Sequence, residues 1–151
     1  MSTEENKALI RRYFQKIDEG DLTVIDDFVA PGFVDHSTSP GSSPDRDGLK
    51  QAAAGFLAAV PDGYHRVEDL VAEGDRVVAR VRGYGTHLGE LMGVPATGRM
   101  VTATGIVIWR IADGKIVERW SVLDAIGLMR QLQAWRPDGE PSSGLEASAS
   151  T

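Results

Sequence analysis

The chain has 151 residues, enough for one domain with a sizeable hydrophobic core. Its hydrophobic content of 42% is ordinary for a globular protein, and no apolar run approaches the roughly 18 residues that span a bilayer. The net charge is −6 without any basic block, which argues against a nucleic-acid partner, and the lack of cysteine excludes disulfides, thiolate catalysis and cysteine-ligated metals. With no signal peptide at its start, we expect a cytoplasmic protein with no membrane partner.

Three helices are predicted in the first part of the chain. The first follows Thr3-Glu4-Glu5-Asn6, where a hydroxyl group can cap the helix and acids favour the positive end of its dipole, and it stops at Gly20. Its apolar face consists of residues at helical spacing: Leu9, Ile10, Tyr13, Phe14 and Ile17. A short second helix runs from Asp21 to Pro31-Gly32, and after a polar loop a third begins within residues 45–48 and ends at Pro61.

Long strands are predicted for the rest of the chain. Residues 64–72 and 76–86 flank a hairpin turn at Gly74, and the strand of residues 100–111 turns at Asp113-Gly114 into a fourth strand. Asp113-Gly114 is the strongest signal, because a type I′ turn needs positive φ at both central residues. A short helix follows Asp124, and residues 137–151, rich in Ser, Gly and Pro, are expected to be disordered.

Helices followed by a meander of strands are typical of an α+β fold. We therefore predict N-terminal helices packed on a curved antiparallel sheet, forming a cone with an internal pocket. The glycines Gly83 and Gly85, on the same parity as His87, favour curling of the sheet. One domain is expected over residues 1–136, with the tail over residues 137–151 outside it.

Asp124 lies where an apolar residue is expected. Counted from the turn, Trp120, Val122 and Asp124 share one face of the last strand, and Trp120 and Val122 are typical of the core-facing side. An inward carboxylate must be paired, hydrogen-bonded or protonated. The pattern leaves two roles open: an acid/base group in a pocket, or a cap for the following helix.

Several segments together resemble the SnoaL-like polyketide cyclase (ester cyclase) family of the nuclear transport factor 2-like superfamily. They are NKALIRRYF, FVDH, DGLKQ, EDLVAEGDRVVARVRGYGTHLGELMGVPATGR and IADGKIVERWSVLD, within residues 5–133. The resemblance implies a cone with an internal pocket and intramolecular aldol chemistry without metal or organic cofactor. It also implies an aspartate acid/base in the strand after a tryptophan, at Asp124.

Two histidines are candidates for stabilising an enolate oxygen. His36 follows an apolar pair at the mouth of a polar loop, and His87 has inward parity, although each can instead bond its own loop. His65 is expected to be solvated. The spacing of His and Asp residues fits no metal-ligand pattern, so no metal is expected.

A small hydrophobic substrate is expected to contact aromatic and apolar side chains. The candidates are Tyr13, Phe33, Phe56, Met92, Trp109 and Trp120, although Tyr13 and the tryptophans are equally typical of a core. The outward parity of the second strand, with Arg80, Arg82 and Tyr84, suits either a homodimer interface or a solvated face.

These observations predict a cofactor-independent cyclase acting on a small hydrophobic carbonyl compound. A non-catalytic binding protein with the same pocket is the alternative from another class. An epoxide hydrolase or isomerase is a further alternative, but an epoxide hydrolase needs an arginine between two inward acids, and Arg80 and Arg82 have outward parity. The surroundings of Asp124 discriminate, because a catalytic acid faces open pocket volume and a structural one is occupied by backbone amides.

Overall fold

The computed structural model describes residues 1–134, so the predicted tail of residues 137–151 lies outside the described residues. Within that part the elements are, in chain order, α1 Thr3–Asp18, α2 Thr23–Phe28, β1 Val29–Asp35, α3 Arg46–Ala59, β2 Tyr64–Glu73, β3 Arg76–Thr86, β4 Met100–Ala112, β5 Lys115–Leu123 and α4 Ala125–Ala134. The α+β prediction is confirmed, with helices at the N-terminus and a five-stranded open curved sheet.

The helix and turn signals act as their chemistry requires. Ser2 and Glu5 form a capping box at the start of α1, and the Asp45 carboxylate accepts a hydrogen bond from the Gly48 amide at the start of α3. Asp113 and Gly114 both have positive φ, 50° and 72°, as the type I′ turn between β4 and β5 demands.

The sheet is mixed rather than wholly antiparallel. Its strand order is β1-β5-β4-β3-β2, and β1 pairs with β5 in parallel while the other neighbours are antiparallel. The predicted second helix therefore ends early, at Phe28, and the apolar run after it forms an edge strand. A short apolar run is ambiguous between helix and strand, and Pro31 is tolerated because β1 lies at the sheet edge.

A β-bulge in β5 decides which side chains face the helices. Ile111 pairs with Ile116 and Arg110 pairs with Glu118, so Val117 is an extra residue without a partner. One extra residue moves every later side chain to the opposite face. The prediction that Trp120, Val122 and Asp124 point inward is therefore wrong: Val122 is 76% exposed, and Arg119 and Ser121 lie on the inner face instead.

The core lies between the inner sheet face and the helices. Ile10, Tyr13, Phe14 and Ile17 of α1 pack on Val77, Ala79, Val107 and Trp109 of the central strands. A smaller cluster of Val60, Val101, Leu128 and Leu132 closes the other end, beneath α4. None of the helices described is long and apolar enough to cross a membrane.

Candidate functional site

Four polar or amphipathic side chains meet inside the core, and we call Tyr13, Asp35, Trp109 and Arg119 the inner polar cluster. Arg119 and Asp35 are neighbours across the parallel pair β1–β5, and Arg119 Nη1 donates to Asp35 Oδ2 at 2.8 Å. The guanidinium carbon lies 5.4 Å from the centre of the Trp109 ring, which Tyr13 contacts edge-on at 5.2 Å. The cluster therefore combines an ion pair with two aromatic rings.

Two hydrogen-bond donors of this cluster have no partner among the described residues. Arg119 Nε and Trp109 Nε1 are both buried and make no hydrogen bond. A buried donor without a partner costs about 1–3 kcal/mol, so most buried donors are paired. Two such donors therefore lie beside one ion pair in the core.

Tyr13 remains protonated over the whole neutral range. Burial raises its pKa from 10.0 to about 12; Arg119 acts against that rise and Asp35 adds to it. A neutral phenol in this position is a hydrogen-bond donor and does not act as a base at pH 7.

A second feature is a cleft of about 520 Å³ between α1 and β2, which we call the α1–β2 cleft. It is lined by Arg11, Phe14, Gln15, Asp18, Glu19, His65, Arg66 and Val67. His65 is not solvated as predicted: its side chain is 20% exposed, and Nδ1 lies 2.6 Å from Asp18 Oδ1. Phe14 separates the cleft from the inner polar cluster and contacts the rings of both His65 and Trp109.

The family model for the SnoaL-like polyketide cyclases matches residues 7–132, which is most of the chain. The chain belongs to this family. Aklanonic acid methyl ester cyclase DnrD of Streptomyces peucetius is 31% identical, over 91% of this chain and 100% of DnrD. Membership confirms the predicted resemblance and the prediction of a cyclase-class enzyme.

Solved structures of similar proteins cover nearly the same extent. TsrD from Streptomyces laurentii superposes with a TM-score of 0.81 at 30% identity, over 89% of this chain and 99% of that one. AclR from Streptomyces galilaeus, described as a candidate hydroxylase, has a TM-score of 0.80 at 32% identity, over 89% and 100%. The family fold is thus confirmed along the described chain, while one fold carries proteins described by different reactions.

Asp124, the acid/base predicted from the family resemblance, does not lie in the core. It is exposed at the end of β5, where its Oδ1 accepts the Gly127 amide at 2.9 Å and so caps α4. Asp124 also borders a groove of about 610 Å³ on the outer sheet face, beside Arg80, Ile106 and Val122. Its predicted burial is wrong, and the cap contact favours the structural role that the sequence left open.

His36 and Trp120 lie on the outer face of the sheet. The two rings stack at 4.8 Å, and His36 Nε2 lies 2.8 Å from Glu118 Oε2. That contact, followed by the hydrogen bond from Arg110, holds the pKa of Glu118 below its usual value. The bulge at Val117 explains the placement, because it turns Glu118 and Trp120 away from the core.

His87 is fully buried, as its inward parity predicts. The Thr97 amide donates to Nδ1 at 3.2 Å, so the neutral ring carries its proton on Nε2, which is buried without a partner. However, His87 directly follows the last residue of β3, whereas Val77, which pairs with Trp109, lies near the start of that strand. His87 and the inner polar cluster are therefore at opposite ends of β3. The structure therefore does not bring Asp124, His36 and His87 together in one site.

The remaining residues predicted to contact the substrate are also divided between the interior and the surface of the protein. Phe33 is 2% exposed in the main core, and Phe56 packs between the smaller cluster and His65. Met92 is 42% exposed in the loop after β3 and has a positive φ of 51°. Phe33 and Phe56 lie inside with Tyr13 and Trp109, whereas Met92 lies outside.

Sequence reasoning missed Arg119, Asp35 and the Asp18–His65 pair. One signal for a buried carboxylate was present in β1: Asp35 lies two residues after the buried Phe33, so both side chains point to the same face of the strand. A buried carboxylate needs a cation as partner. Among residues 1–134, no group of three His, Asp or Glu side chains is placed to hold a metal ion.

Proposed function

We propose that this protein is a cofactor-independent cyclase that closes a ring in a hydrophobic polyketide by an intramolecular aldol-type reaction. The observation that carries the proposal is the pair of unpartnered buried donors, Arg119 Nε and Trp109 Nε1, beside a phenol that stays protonated. Ring closure builds negative charge on carbonyl oxygens, and pre-placed donors in a dry site stabilise that charge most effectively. The name of the relative, aklanonic acid methyl ester cyclase, supports a polyketide as substrate.

In this mechanism the inner polar cluster binds the carbonyl group that is attacked. Arg119 and Trp109 donate to its oxygen, and Tyr13 gives a further hydrogen bond as the oxygen becomes an alkoxide. Asp35 holds the Arg119 guanidinium through its 2.8 Å contact and is itself bonded by the Ser37 amide at 3.0 Å. The donors are therefore fixed before the reaction and need no reorganisation.

The outer sheet face supports a homodimer. Ile106 and Val122 are opposite each other on β4 and β5, are 49% and 76% exposed, and border the groove of about 610 Å³. Arg80 lies opposite Ile106 on β3 and pairs with Asp69. We propose that a second copy of the chain covers Ile106 and Val122, with Arg80 and Arg82 at the rim of the interface.

The experiment is a turnover assay of purified protein with aklanonic acid methyl ester, with the product examined by mass spectrometry and NMR. The expected product is an isomer of the substrate with one additional ring, because an intramolecular aldol addition neither adds nor removes atoms. Binding without turnover would favour the non-catalytic alternative. A product heavier by one oxygen atom would instead place the chain with the relative described as a candidate hydroxylase.

A further inference from the structure

The Asp18–His65 pair is held in one orientation by two contacts. Asp18 is the last residue of α1, and His65 lies near the start of β2. The Asp18 carboxylate accepts hydrogen bonds from the His65 amide, at 2.8 Å, and from the ring nitrogen Nδ1, at 2.6 Å. An ionised carboxylate only accepts hydrogen bonds, so Nδ1 carries the ring proton. The lone pair of the neutral ring is then on Nε2, which makes no hydrogen bond with the described residues.

This pair belongs to a different site from the inner polar cluster. Phe14 lies between the two, with its ring centre 5.2 Å from that of His65 and 6.2 Å from that of Trp109. The His65 side chain is 20% exposed and lines the α1–β2 cleft, whereas the unpartnered donors of Arg119 and Trp109 are buried. His65 therefore acts on a molecule in the cleft and not on a carbonyl group held by those donors.

The α1–β2 cleft has the size and the lining of a small-molecule site. Its volume of about 520 Å³ falls within the range of such sites, roughly 300–1,000 Å³. Phe14 gives it an aromatic wall, and Arg11 and Arg66 supply positive charge. Both carboxylates that line the cleft already have a partner, in the pairs Asp18–His65 and Glu19–Lys16. The two guanidinium groups therefore favour a ligand on which negative charge develops.

An oriented histidine in a cleft that opens to solvent has the arrangement of a general base for hydrolysis. A carboxylate on Nδ1 fixes the tautomer and stabilises the imidazolium that forms when Nε2 takes a proton. Water is the nucleophile at hand in such a cleft, and the positive charge of Arg11 and Arg66 stabilises an oxyanion. The other described histidine with a carboxylate partner, His36, stacks instead on Trp120 at the outer face.

We propose that the α1–β2 cleft is a second active site, which hydrolyses an ester whose aromatic group packs on Phe14, with His65 as general base and Asp18 as its positioning residue. Nε2 takes a proton from water while the water oxygen bonds to the ester carbonyl carbon, and the C=O electron pair moves onto the carbonyl oxygen. When that pair returns, the bond to the alcohol oxygen breaks, and Nε2 gives the proton to this oxygen. One ester and one water molecule thus give a carboxylic acid and an alcohol or phenol.

The test uses 2-naphthyl acetate, whose hydrolysis releases the fluorescent 2-naphthol. His65→Gln is expected to lower kcat by about 10²–10⁴-fold with KM within a few-fold, because the cleft is kept and only the base is lost. Asp18→Asn should lower kcat by about tenfold or more with a similar KM, since an amide does not stabilise the imidazolium. The matched control, His36→Gln, should leave hydrolysis unchanged. Thermal unfolding establishes that each variant is folded.

Chemical rescue distinguishes a base from a structural histidine. In folded His65→Ala, added imidazole should restore hydrolysis above the rate that it gives without protein, whereas pyrazole, a weakly basic ring of the same size, should not. Mass spectrometry of wild-type protein quenched during turnover should show no acetyl group on His65, because the ring activates water and does not attack the ester.

Four results would overturn the proposal. They are a wild-type rate that does not saturate with ester, a folded His65→Gln protein within about threefold of wild type, equal rescue by both rings, and an acetylated His65. None of these measurements involves ring closure, so the cyclase proposal is tested separately.

Discussion

The two faces of the sheet carry nearly the same set of groups and use them differently. On the inner face Arg119 pairs with Asp35 and lies over Trp109; on the outer face Arg110 pairs with Glu118. The outer face also has its tryptophan beneath an arginine, with Arg76 5.0 Å from the Trp120 ring. The two ion pairs differ in their exposure to solvent: the Asp35 side chain is 6% exposed and that of Glu118 is 24% exposed.

The difference in exposure determines how much each ion pair contributes to the free energy of unfolding. An exposed ion pair contributes about 0–1 kcal/mol, whereas breaking a buried pair by removing one partner costs about 3–5 kcal/mol. A buried pair is also no more stabilising than well-packed apolar residues of the same volume. Stability therefore gives no reason for burying the inner pair, which agrees with the role proposed for the unpartnered Arg119 Nε.

The largest expected effect is that of Arg119→Gln. Loss of an oxyanion donor should lower turnover of aklanonic acid methyl ester by about 10²–10³-fold. Asp35 would remain buried without its cation, so the free energy of unfolding should fall by about 3–5 kcal/mol. Turnover assays and urea unfolding of the purified variant measure the two effects.

Two further variants separate catalysis from stability at Arg119. Asp35→Asn combined with Arg119→Gln removes both charges, so it should recover most of the unfolding free energy without recovering turnover. Arg110→Gln, the matched change on the outer face, should alter each quantity little. Recovery of turnover in the double variant would contradict a direct role of the guanidinium.

The next effect concerns Tyr13 at alkaline pH. Its folded-state pKa of about 12 exceeds the ordinary 10.0, so its contribution to stability is full below pH 10 and is lost as pH rises through 12. A shift of this size corresponds to roughly 3 kcal/mol. Unfolding free energies of the wild type and Tyr13→Phe, measured from pH 9 to 12, should therefore converge as pH rises; parallel curves would show that Tyr13 is not held neutral by burial.

A smaller, non-catalytic effect is expected at the outer face. Val122→Glu places like charges at the proposed interface between two copies and should shift the protein from dimer to monomer in sedimentation equilibrium at tens of micromolar. Gln133→Glu adds the same charge on an exposed position of α4 and should leave the dimer intact. A wild-type monomer at that concentration would refute the interface.

The sequence predicted the elements well because their signals are local. The bounds of β3 follow from alternation between two turns, and Gly74 and Asp113-Gly114 turn where their φ preference requires. The site was predicted poorly because it depends on one extra residue, Val117, that changes the facing of Arg119, Trp120 and Asp124 without changing the strand. The Asp18–His65 contact likewise joins elements that are distant in sequence, and no periodicity reports it.

The smallest effect is expected at Asp124, and it tests the comparison most sharply. Asn caps a helix about as well as Asp, so Asp124→Asn should change stability by only a few tenths of a kcal/mol, while Asp124→Ala should cost about 1 kcal/mol. Turnover should stay within a few-fold of wild type in both, because the carboxylate is exposed and bonded to the Gly127 amide. Thermal unfolding and turnover of the two variants check this. A fall in turnover of about 10²-fold or more in a fully stable Asp124→Asn protein would restore Asp124 as the acid/base group and would mean that the reaction takes place at the outer end of β5.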